Sequence, residues 1–158
     1  MTIITLAQAE QLIDAILSRA AELDCRPLSV IVVEPGCKVK AFKKEDGSSM
    51  LRFEMAYGKA YAALALGRSS KLVKVRAEEK PSFMRYLASA SSDQIFAEGG
   101  GQQIRDAKGE VIGAVGVTGE TEERDEELAA HGIRAIGLKT DEDCADLGRR
   151  RGVRLTNK

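Results

Sequence analysis

Lys59 stands among small residues, with Gly58 and Ala60 beside it and Ala56, Ala62 and Ala63 within a turn. A lysine so flanked either lines a pocket, where its ammonium holds a carboxylate as a point charge, or snorkels to solvent beside Arg52. His131 is the only histidine. It is either a surface residue or a metal ligand at a subunit contact. Glu120, Glu123 and Glu126 recur every third residue, with Asp125 among them. Carboxylates at that helical spacing can collect a hard cation, Glu123 and Glu126 foremost, or form the solvated start of a helix. Gly99-Gly100-Gly101 can present its N–H groups to an anion as a nest, or simply adopt unusual φ/ψ. It matches neither a dinucleotide fingerprint nor a P-loop. Thr118-Gly119 precedes a helix start, a ready anion site, although Thr121 can cap that helix instead. Cys25, Cys37 and Cys144 are too scattered for a disulfide framework or a structural zinc site.

The elements that must position these groups are legible from periodicity. Thr5 to Leu23 reads as a helix, with Thr5 and Gln8 at capping-box spacing. Leu6, Ala9, Leu12, Ile13, Ile16, Leu17 and Ala20 form its apolar face. The β-branched run Leu28 to Val33 predicts a central strand, and Val39 to Lys43 alternates as a half-exposed one. Together they make an antiparallel hairpin. Ser49 to Leu66 predicts a second helix, whose small residues let it lie close to a sheet and which Gly67 closes. Ser69 to Glu79 reads as polar and irregular. Pro81 opens a short helix over Ser82 to Leu87.

A second hairpin follows. Asp106-Ala107-Lys108-Gly109 carries a type I turn signature, and Val111 to Val117 is an apolar run suited to a strand buried on both faces. Glycines bracket this hairpin on both sides, so something must pack closely against it. Thr121 to about Leu138 predicts the last major helix. Its buried face is Leu128, Ala129, Gly132, Ile133 and Ile136, and His131 falls more than about 100° from that face's centre. Residues 1–138 read as one domain. Residues 139–158 read as an extension with a short helix, acidic at Asp141 to Asp143, basic at Arg149 to Arg151 and stopped by Gly152. Two hairpins joined by helices give an α+β layer fold.

Composition narrows the function classes. The 158 residues carry 24 basic and 24 acidic side chains, so charge favours neither nucleic acid nor acidic partners. Tryptophan is absent and aromatics are few, which argues against single-strand stacking platforms. No apolar run approaches the roughly 18 residues of a membrane helix. The start, MTIITLAQAEQ, lacks the pattern of a signal peptide, and unpaired thiols suit a reducing compartment, so the expected location is cytoplasmic.

Four segments together resemble the GlcG/HbpS family, which includes haem-binding and PduO C-terminal-like domains. They are Val30 to Ser48, Gly58 to Ala63, Gly99 to Ile104, and IGAVGVTG (Ile112 to Gly119) with Asp125 and Ala129 after it. The resemblance spans about residues 5 to 138. It implies a profilin-like α+β fold with an antiparallel sheet of about five strands, and a homo-oligomer. It makes haem or another tetrapyrrole the leading small-molecule ligand. It also strengthens a pocket role for Lys59 through the GKA motif, and surface ExxE acids are used for iron by some relatives. Two positions depart from the family pattern. Glu34 stands where Asp is usual, and no histidine occurs near the domain start, where PduO-type relatives carry their haem ligand. Two other functions stay open. One is an enzyme or accessory protein in carboxylate or aromatic catabolism, with Lys59 and Glu34 as an acid–base or substrate-binding pair. The other is a structural oligomer without a ligand. Lys59, Gly99, Gly100, Thr118, Gly119 and Glu34 are the candidate ligand-binding residues; His131, Glu123 and Glu126 are the candidate metal ligands.

Overall fold

The computed structural model describes residues 2–146. The chain runs α1 (Leu6–Glu22), β1 (Ser29–Val33), β2 (Val39–Lys44), α2 (Arg52–Leu66), α3 (Ser70–Glu79), α4 (Pro81–Ala90), β3 (Gly101–Arg105), β4 (Val111–Thr118) and α5 (Glu122–Ala135), then a 3-10 turn at Glu142–Cys144. The sheet order is β2-β1-β4-β3, antiparallel throughout. Both expected hairpins form, and they join through β1 and β4, with Ser29 opposite Thr118 and Val33 opposite Ala114.

The sheet is the middle of three layers. α1 and α5 cover one face, where Leu12, Ile13 and Ile16 meet Val30, Val32, Val115, Val117, Leu128 and Ile133. α2 covers the other, where Ala56 and Ala60 meet Ile31, Val33 and Ala114. Every residue of β1 is buried, as is all of β4 after Val111, so the uninterrupted apolar runs reflect a sheet covered on both sides. The Thr5 capping box forms at the start of α1, and Gly67 ends α2 in the left-handed region at φ 66°. At the β3–β4 turn, Asp106 Oδ1 accepts from the Lys108 and Glu110 N–H groups, and Gly109 takes φ 82°.

This is the profilin-like α+β arrangement that the resemblance implies, with two corrections. The sheet has four strands; the place of a fifth is taken by a single bridge between Arg105 and Lys139. And Ser70–Glu79 is helical, against the reading of Ser69 to Glu79 as irregular. Leu72 and Val73 are buried there, and that packing outweighs the polar remainder of the segment. At the boundaries, α2 starts at Arg52 after a turn, α4 runs on to Ala90, and Gly137 at φ 79° follows the end of α5. The basic end expected at Arg149 to Arg151, with its stop at Gly152, lies outside the described residues. Among the described residues no helix is long and apolar enough to cross a membrane.

Candidate functional site

α2 approaches the sheet so closely that only glycine fits beneath it. A Cβ on Gly116 would lie 2.0 Å from the Ala56 carbonyl oxygen, and one on Gly101 would lie 2.1 Å from that of Lys59. The Lys59 side chain then passes Gly100, where a Cβ would lie 3.1 Å from both Lys59 Cδ and Asp125 Cβ. Gly100 holds φ 126°, a conformation suited to glycine alone. The ammonium emerges at the start of α5 on the opposite face of the sheet. It donates to the Val117 carbonyl at 2.9 Å and to Asp125 Oδ2 at 3.1 Å. Lys59 is 1% exposed and Asp125 2%, so it does not snorkel. Asp125 Oδ1 also accepts the Glu120 N–H. Burial pushes the Asp125 carboxyl up, and the Lys59 charge opposes this.

The N–H groups of the glycine run do not converge on one anion; each is taken by a different side chain of the chain itself. Gly99 N–H donates to Glu122 Oε1 at 3.1 Å, Gly100 N–H to Glu126 Oε2 at 2.9 Å, and Gly101 N–H to Ser70 Oγ at 2.7 Å. Glu122 also pairs with Lys74, which holds its carboxyl below the usual range. Lys59, Gly99 and Gly100 are therefore brought together, and their donors are taken by acids of α5 and the Val117 carbonyl of β4. Thr118 is fully buried and accepts from Arg52 Nη1 at 2.9 Å. Gly119, at φ 139°, packs against the Pro27 carbonyl.

Glu34 is not part of this cluster. It follows the far end of β1 and pairs with Lys40 Nζ at 3.3 Å, so the structure forms no acid–base pair of Glu34 with Lys59. Glu126 turns inward to Gly100 and Gln102, and burial raises its carboxyl. Glu123 stays exposed on α5. Among the described residues no three His, Cys, Asp or Glu side chains converge to hold a metal ion.

His131 is exposed, as its helical phase implies, and it opens onto a groove. This groove of about 680 Å³ runs along α5, with Gln102, Glu126, Ala130, His131 and Arg134 on its walls and Lys71 of α3 across from them. Gln102 Nε2 donates to Glu126 Oε1 at 3.1 Å, so the Gly100 N–H bond that holds Glu126 also holds this wall. Ser70, Gln102 and the Lys59–Asp125 pairing were not singled out from sequence. A lysine with an alanine-rich surround could have signalled the last, because a buried ammonium requires an acid.

Comparison with known proteins agrees with the fold. Residues 4–134 match the family model described as haem degrading protein HbpS-like. A 15.0 kDa protein encoded in the dhaT–dhaS intergenic region of Citrobacter freundii is 31% identical over 126 residues, 80% of this chain and 87% of that one. The crystal structure of Klebsiella pneumoniae ORFY superposes with a TM-score of 0.78 at 26% identity, over 86% of this chain and 92% of that chain. A PduOC–haem complex has the same TM-score at 23% identity, over 88% and 99% of the two chains. With its model match spanning most of the sequence and its glycine-lined lysine helix in place, the chain belongs to the HbpS-like family.

Proposed function

We propose that this protein binds haem or another tetrapyrrole in the groove along α5. The observation that carries the reading is the placement of His131, which lies in a groove that also holds two cationic side chains, Lys71 and Arg134. The groove offers an imidazole as an iron ligand, Lys71 to meet a propionate, and Ala130 and Ala135 as small apolar contacts to a flat ring, with Glu126, Glu127 and Glu142 also on its walls. Arg134 is held by Asp143 and Glu142, which fixes its position on the rim. Bound haem would supply a redox-active iron; the chain's own part is to ligate it, orient it and, through Gly100 and Glu126, keep the wall rigid. Family membership supports the reading, and the unpaired Cys25, Cys37 and Cys144 support a cytoplasmic setting.

Titration of hemin into the purified protein should give a saturable Soret band. In His131→Ala that band should shift or vanish, with Lys71→Ala weakening binding several-fold. An unchanged spectrum in His131→Ala would remove His131 from the site.

We also propose that copies associate through the flank of α2 that lies beside β2. Phe42, Phe53, Tyr57 and Tyr61 form a continuous aromatic strip there, with successive ring centroids 5.0, 6.1 and 6.1 Å apart. Sedimentation should show an oligomer that Phe53→Glu dissociates; a monomeric wild type would refute this.

A further inference from the structure

Lys59 has its counterion, but among the described residues Arg52, two turns earlier in α2, has none. We propose that the corner where α2 begins, over the ends of β1 and β4, is a binding site for a small monocarboxylate, gripped by Arg52, Thr118, Ser29 and the first amides of α2. The proposal does not rest on the haem reading, and it concerns the opposite face of the sheet from the α5 groove.

The register of the layers builds the corner. The Ala56 carbonyl sits over Gly116, so the turn before it sits over Thr118, and Arg52 Nη1 reaches the Thr118 hydroxyl at 2.9 Å. Ser29 lies directly across from Thr118 on β1. Side chains alternate along a strand, so Ser29 faces the same side as Ile31 and Val33, which pack under Ala56 and Ala60. The Ser29 hydroxyl thus points into the layer beneath the first turn of α2. It is fully buried, and among the described residues it has no hydrogen-bond partner. A buried hydroxyl left alone is rare, and a group that accepts its proton would satisfy it.

Two further observations give that ligand a negative charge. Arg52 is half-buried, and among the described residues no carboxylate lies within ion-pair distance of it; its contacts are Thr118 Oγ1 and, at 3.7 Å, Met55 Sδ. Asp125, the nearby acid, is occupied by Lys59 and the Glu120 N–H. The α2 N-terminus also lacks a side-chain cap: Leu51 occupies the cap position, and Glu54, the acid of the first turn, is exposed. A helix end left so has N–H groups and a positive dipole to offer an anion. The guanidinium fork matches the two oxygens of a carboxylate, and exposed Met50 and Leu51 beside it can meet a short apolar tail. Ser29 and Thr118 are closed to solvent, so binding exchanges the Arg52–Thr118 hydrogen bond for bonds from both residues to the anion.

The test is an amide and guanidinium NMR titration of the whole chain with sodium acetate, sodium butyrate and sodium phosphate, at an ionic strength held constant with sodium chloride. The site predicts saturable shifts at the Phe53 and Glu54 amides and at Arg52 Nε–H, with butyrate binding more tightly than acetate. Arg52→Gln should weaken binding at least about tenfold, as expected for loss of a charged hydrogen bond. Ser29→Ala should weaken it about threefold while leaving the melting temperature of the free protein unchanged or raised, because it deletes a buried hydroxyl that has no partner. Non-saturating shifts, shifts shared with chloride alone, or an unchanged response in both variants would overturn the site. Saturation by phosphate but neither carboxylate would overturn the ligand class.

Discussion

Lys59→Met lowers the unfolding free energy by about 3–5 kcal/mol, the range for breaking a buried ion pair from one side. The methionine replaces the lysine stem in volume, so the loss is chiefly electrostatic. Asp125 is left 2% exposed with the Glu120 N–H as its remaining donor, and the Val117 carbonyl loses a donor. The pH dependence separates this from a packing defect. Without Lys59, burial raises the folded-state pKa of Asp125 further above its unfolded value. The folded variant then holds a proton that the unfolded chain releases, so its deficit grows as pH rises above the ordinary aspartate range and shrinks on acidification toward pH ~4. Denaturant unfolding of both proteins from pH ~4 to ~8 checks this. A deficit of equal size at every pH would show that Asp125 is not the cause. The double variant Lys59→Met/Asp125→Leu should recover part of the loss, because it removes both charges.

Gly101→Ala and Gly116→Ala should each cost about 3 kcal/mol or more, at or beyond the upper end of ordinary overpacking. The added methyl would meet backbone oxygens of α2, those of Lys59 and Ala56, at 2.1 and 2.0 Å. A flexible side chain could swing away from such a contact; a helix backbone moves only with the whole helix. Moving α2 would open the Ala56–Ala60 layer and pull Lys59 from Asp125. Gly36→Ala is the control, since nothing lies within 4 Å of the new methyl. Thermal melts of the three variants decide the matter: if Gly101→Ala and Gly116→Ala melt with Gly36→Ala, the close approach of α2 is not what the glycines serve.

These results bear on how much of the fold can be read from residues in order. The two hairpins, the Thr5 cap, the Gly67 stop and the exposure of His131 follow from local rules, because each depends on periodicity or on conformations within a few residues. The glycine-bracketed hairpin had to lie against something close, and what lies there is the backbone of α2 on one side and the acids of α5 on the other. Helix α3 escaped local reading because its case rests on Leu72 and Val73 meeting distant elements. In place of a fifth strand the segment after α5 meets the β3 edge at one bridge, Arg105 with Lys139, beside the Arg105–Asp141 pair at 2.7 Å.

By itself the sequence determined the α+β layering, the antiparallel hairpins, the family and a short set of polar residues worth attention. Only the tertiary structure decided which of those residues face one another. Lys59 and Asp125 are 66 positions apart, and Glu34 and Lys59 only 25, yet the first pair touches and the second is split between opposite ends of the sheet. The physical reason is that a buried charge must find its partner in three dimensions, and strand register and helix approach, set by glycines that admit a backbone and nothing larger, determine which partner is within reach.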